Sequence, residues 1–190
     1  MAQLPLPRSA SAPALHAGPT AGIEAPFELL AACHERLQRS LGLLQRLLNH
    51  VAQLPGQMPD EQATRAAVDV MRYFDVAAPL HHEDEESHII PALQASDDPQ
   101  LRAAAQQMLA DHAQFRALWL TLRAGLAEVA AGRSPAAMAA LMVTGDAFIT
   151  LHHSHLGLED GLVFPAAQTR LTAEALAAMS TDMGRRRGLG

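Results

Sequence analysis

The stretch LHHEDEESHIIP, Leu80 to Pro91, decides the reading of this chain, because SHLGLEDGLVFP, Ser154 to Pro165, repeats its chemistry in the other half. In both, a His is followed four residues later by a Glu and then at once by a second acid. A Pro closes each stretch ten residues after the His. The two sets are His81, Glu85, Glu86 and Pro91, and His155, Glu159, Asp160 and Pro165. On a helix, residues four apart stack on one face, so each stretch aims an imidazole and a carboxylate at one point.

The flanking sequence reads as helix. Over residues 24–53, Phe27, Leu30, His34, Leu37, Leu41, Leu44 and Leu48 recur at threes and fours, and Pro55, Gly56 and Pro59 break the pattern. A second helix is expected over residues 60–95, with Pro79 kinking it just before His81. Ser96, Asp97, Asp98 and Pro99 open a third, which runs to Ala131 and stops at Gly132. Ser134 and Pro135 start a fourth, running to Gln168, and Thr172 caps a short fifth that ends near Gly184. Long helices with short connections predict an all-α, up-down-up-down four-helix bundle with a short C-terminal helix. The expected organisation is a disordered leader over 1–23, the bundle domain over 24–184 and a tail over 185–190.

Composition agrees. The 190 residues are 49% hydrophobic but only 4% aromatic, and no long run of alternating β-branched residues suggests a sheet. The chain is long enough for one domain with a sizeable core. The single Cys33 allows no internal disulfide, the leader lacks the pattern of a secretory signal, and no apolar run approaches the ~20 residues of a membrane helix. A cytoplasmic protein without a membrane partner is expected. A net charge of −6 argues against a nucleic-acid surface, and Arg185, Arg186 and Arg187 read as a solvated tail.

Counting residues to the turns tests whether the repeated groups share a level. His34 lies about 21 residues before the first turn and His81 about 23 after it; His112 lies about 20 before the third turn and His155 about 22 after it. At ~1.5 Å per residue, all four sit roughly 30 to 35 Å from one end of the bundle. Four imidazoles and two carboxylates thus converge, a costly arrangement in an apolar interior unless a metal is bound. The donor set suits a pair of transition-metal ions, with Glu85 and Glu159 bridging and His34, His81, His112 and His155 capping.

With these residues in place, the chain resembles the hemerythrin-like, or HHE cation-binding, family. That family has a His on the first helix, H-x-x-x-E-E with a following Pro on the second, a His on the third, and H-x-x-x-E with V-F-P on the fourth. Here these are His34; His81, Glu85, Glu86 and Pro91; His112; and His155, Glu159 and Val163-Phe164-Pro165. The resemblance implies a non-haem centre of two iron ions, while the donor types also allow Mn or Zn; an oxo or hydroxo group is expected to bridge the ions beside the carboxylates. It implies O2, NO or another small ligand as partner. The oxygen carriers of the family have a second His one turn after the third-helix ligand, where this chain has Arg116. The set here is closer to bacterial di-iron proteins implicated in iron-sulfur cluster repair. The leading expectation is a non-enzymatic binder of O2 or NO; a di-iron enzyme or an iron donor is the alternative.

Around the site, Leu41, Phe74, Trp119 and Phe148 each lie seven residues from a ligand and read either as ordinary core or as the wall of a dry O2 or NO pocket. Arg116 reads either as a partner of Glu86 or Asp160 or as a surface residue. His152 is a candidate seventh ligand or proton donor, and His88 a weaker one. Helical phase turns His82, His153 and His50 outward. His16 is incidental, Cys33 is a core thiol, and Tyr73 is the only Tyr.

Overall fold

Apolar residues at three- and four-residue spacing make α1, Pro26–Ala52, bury one stripe that includes Leu30, His34, Leu37, Leu41, Leu44 and Leu48. The computed structural model describes residues 25–54 and 57–188. The leader with His16, the last two residues of the predicted tail, 189 and 190, and Pro55 and Gly56 of the predicted break lie outside them. Asp60 caps the next helix by accepting from the Ala63 amide at 2.8 Å. That helix, α2, runs over 61–94, and α3 is Pro99–Ala130. Helix α4 covers 138–168, and α5 is Ala173–Arg186, capped by Thr172 as expected. Gly132, at φ 67°, ends α3 in the left-handed conformation that favours glycine, with the Arg133 amide donating back to the Glu128 carbonyl. Helix α4 starts later than the sequence suggests: Ser134 does not cap it, because the Glu128 carboxylate takes the Ala136 amide and holds the connection open until Met138.

Helices α2 and α4 survive internal prolines by widening. Proline cannot donate to the carbonyl four residues back, and its ring crowds that carbonyl. Just before Pro79, Pro91 and Pro165, the amides of Ala78, Ile90 and Phe164 reach back five residues, to the carbonyls of Tyr73, Glu85 and Glu159. Each proline therefore creates a π-turn beginning six residues upstream, and two of the three begin at Glu85 and Glu159. Pro79 is absorbed in this way without ending α2.

The helices pack as a ring in sequence order, α1 against α2 and α4, and α3 against α2 and α4. Two apolar clusters fill it. One holds Leu37 to Val51, Ala63 to Ala78, Phe115 to Val129 and Leu141 to Leu156; the other holds Leu29, Leu30, Ile89 to Leu93, Leu101 to Met108, Val163 to Ala167, Met179 and Met183. On α1, α2 and α3 the gap between the clusters falls where the predicted donors lie, and on α4 it holds Glu159, with His155 one residue before its edge at Leu156, so the count to the turns placed them at one level.

The tail reading needs correction. Arg186 and Arg187 close on Asp84, which is fully buried next to Glu85, with Arg186 Nε and Nη2 donating to Asp84 Oδ1 at 3.0 and 2.7 Å. An unpaired buried carboxylate is expensive, so α5 is fastened to the bundle at the level of the donors. Arg186→Ala is expected to lower stability by about 1–3 kcal/mol, read as a drop in the urea midpoint with an unchanged slope.

Candidate metal centre

All six predicted donors meet in the bundle interior. His34, His81, Glu85 and Glu159 offer ligand atoms within 4.8 Å of one another, and so do Glu85, His112, His155 and Glu159. Each of the six is buried. The two groups share both carboxylates and divide the imidazoles in pairs: His34 with His81, and His112 with His155.

Three of the four histidines, all but His81, have their outward ring nitrogen tied down. His34 Nδ1–H donates to Asp160 at 2.9 Å, His112 Nδ1–H to Glu86 at 2.8 Å and His155 Nδ1–H to Asp111 at 3.0 Å. Each bond sets the tautomer that leaves Nε2 facing the carboxylates, and each fixes the ring's angle. The second acid of each repeated stretch thus orients an imidazole on a neighbouring helix. Asp111 had no such signal in sequence; it lies one residue before His112 and serves His155, a pairing that only the packing of α3 on α4 makes. Phe164 stacks on His34 at 5.0 Å, which gives the Val163-Phe164-Pro165 ending a structural task.

His112 Nε2 and His155 Nε2 face each other at 3.2 Å, and the other inward atoms lack hydrogen-bond partners. Both oxygens of Glu85 and of Glu159, both ring nitrogens of His81 and Nε2 of His34 are buried and unsatisfied. Contacts such as His34 Nε2 to Glu159 Oε2 at 3.1 Å and His81 Nε2 to Glu85 Oε1 at 3.4 Å are close without hydrogen-bond alignment. Burial, reinforced by the facing Glu159, pushes the Glu85 carboxyl well up. Burial also pushes Glu159 up, but His155 and His34 beside it outweigh that and hold it well below the usual range. Burial lowers His81 to about 3. Each unsatisfied buried group costs roughly 1–3 kcal/mol, so the set costs on the order of the ~5–15 kcal/mol by which a whole domain is stable. Cations at the centre would remove that cost, and the nitrogen and oxygen donors fit them.

The surrounding residues divide. Phe74, Trp119 and Phe148 line a cavity of about 220 Å³ with Phe115, His82 and His152 while also packing in the apolar cluster that holds Leu41, which does not line the cavity. Arg116 is exposed and donates to Glu86 at 3.3 Å. His152 is buried outside both donor groups, its Nδ1–H donating to the Phe148 carbonyl at 2.8 Å. His88 pairs with Asp182, His50 with Asp60, and His153 is exposed. His82 contradicts its outward phase: it is buried, stacked on His112 at 4.3 Å. Helix α2 touches both α1 and α3, so the inward arc is wide enough to turn His81 toward one and His82 toward the other. Cys33 is half-buried, and the Tyr73 hydroxyl donates to its carbonyl at 3.4 Å.

Among the described residues, no helix is long and apolar enough to cross a membrane. The family model described as hemerythrin HHE cation binding domain matches residues 25–167. A Haemophilus influenzae protein, described only as uncharacterized, is 28% identical over 166 residues, covering 85% of this chain and 90% of that protein.

Proposed function

Since the chain belongs to the hemerythrin HHE cation binding domain family, we propose that His34, His81, Glu85, His112, His155 and Glu159 hold two iron ions, and that the protein binds O2 or NO in the cytoplasm as a sensor, scavenger or carrier. The observation that carries this is the pair of overlapping donor groups with both carboxylates in common, which suits two ions better than one. Imidazole and carboxylate also suit Mn and Zn. Iron, when bound, would supply the redox chemistry toward O2 or NO.

The protein's own contribution is to orient and to exclude. Asp160, Glu86 and Asp111 hold the imidazole tautomers, and the two apolar clusters keep bulk water from the carboxylates. Asp111→Asn, which spoils the acceptor for His155, is expected to weaken cation uptake about 10- to 100-fold, measured by competition with a chromophoric chelator.

Stopped-flow spectra of the reduced iron protein mixed with O2 or NO test the ligand. A spectral change that reverts when the gas is removed supports binding, and irreversible oxidation on first contact contradicts it. The cavity beside His82 and His152 favours a second reading, a di-iron enzyme, because its 220 Å³ is several times the ~30 Å³ share of one water-sized molecule. Sustained catalytic loss of peroxide or NO supports that reading, and its absence removes it. Iron donation to a cluster-repair pathway is tested by transfer to an apo iron-sulfur protein.

A further inference from the structure

Helix α2 carries a second buried imidazole immediately after His81. His82 offers a ligand atom within 4.8 Å of those offered by His112 and His155, and all three residues are buried. Its Nε2 is buried without a hydrogen-bond partner. Its ring lies nearly parallel to His112 at 4.3 Å and to Phe115 at 5.3 Å. A ring wanted only for this stack would be better apolar, because an unsatisfied buried nitrogen is costly. His152 stacks on the same Phe115 at 3.7 Å and its Nε2 is likewise buried without a partner, but its other nitrogen donates to a backbone carbonyl and it belongs to none of the donor groups, so what sets His82 apart is its place beside His112 and His155.

We propose that His82 is a fifth imidazole donor of the centre, given to the cation held by His112 and His155. This rests on the two-cation reading above. Nitrogens bound to one ion at ~2.1 Å lie at most about 4.2 Å apart, so the three need to draw together by about half an ångström, and the His82 ring has to tilt from its near-parallel stack on His112 for both in-plane lone pairs to meet one ion. The two cations then differ: one takes His34 and His81, the other takes His82, His112 and His155. Glu85 and Glu159 serve both.

The test uses the full chain stripped of metal and titrated with Co(II), followed by calorimetry and by proton NMR. Wild type is expected to take two equivalents and to show five exchangeable, paramagnetically shifted imidazole N–H signals. His82→Phe keeps the stack on His112 and Phe115 but has no nitrogen. It is expected to weaken one equivalent at least about tenfold, leave the other unchanged and lose one of the five signals. His152→Phe is expected to keep both affinities and all five signals. If His82→Phe matches wild type in affinity, or if wild type with two cations shows only four signals, the assignment of His82 is overturned while the two-cation reading stands. A wild-type chain that takes up one cation or none overturns both. The count of signals in wild type decides the point even if a variant does not fold.

Discussion

Glu159→Ala is expected to abolish uptake of both cations, whereas His34→Ala is expected to weaken only one. The reason lies in how the donors are shared. Glu85 and Glu159 belong to both four-residue groups, while His34 belongs to only one of them. Removing a shared carboxylate takes an anionic ligand from each ion at once, and its loss from a buried site is expected to cost each at least about 100-fold in affinity. Metal analysis after equilibrium dialysis separates the cases: about none for Glu159→Ala, about one for His34→Ala at limiting iron. Equal stoichiometry in the two variants would contradict the sharing.

The second large effect is on stability, with opposite signs in two states. Loading with iron is expected to raise the melting temperature by roughly 8–16 °C. A free cation at about 1,000 times its dissociation constant contributes about 4 kcal/mol, and each kcal/mol moves a domain of this size by about 2–4 °C. Without metal the same donors are a burden, since both oxygens of Glu85 and of Glu159 are buried and unsatisfied. Glu85→Leu is therefore expected to melt higher than metal-free wild type, by about 1–4 kcal/mol of added stability, and to gain nothing from iron. Differential scanning calorimetry with and without iron reads both signs. A Glu85→Leu chain less stable than metal-free wild type would show that the carboxylate supports the fold by other means.

The residues legible in the sequence are those fixed by periodicity along one helix. His81 with Glu85 and His155 with Glu159 follow from stacking at four residues, and their level follows from counting to the turns. The prolines were visible too, but only the amides of Ala78, Ile90 and Phe164 show that each opens a π-turn. What the sequence hid depends on which neighbour a helix faces. Asp111 serves a histidine on another helix, and His82 is buried because α2 meets α3 as well as α1. Arg186 and Arg187 looked like a charged tail because Asp84, their partner, is about a hundred residues away in sequence.

Mössbauer spectroscopy of the chain loaded with iron-57 and oxidised tests the central claim most directly. The account predicts two irons per chain, present as one magnetically coupled pair with no ground-state paramagnetic signal. A single uncoupled high-spin ferric ion per chain, or iron that elutes freely from the folded protein, would contradict it.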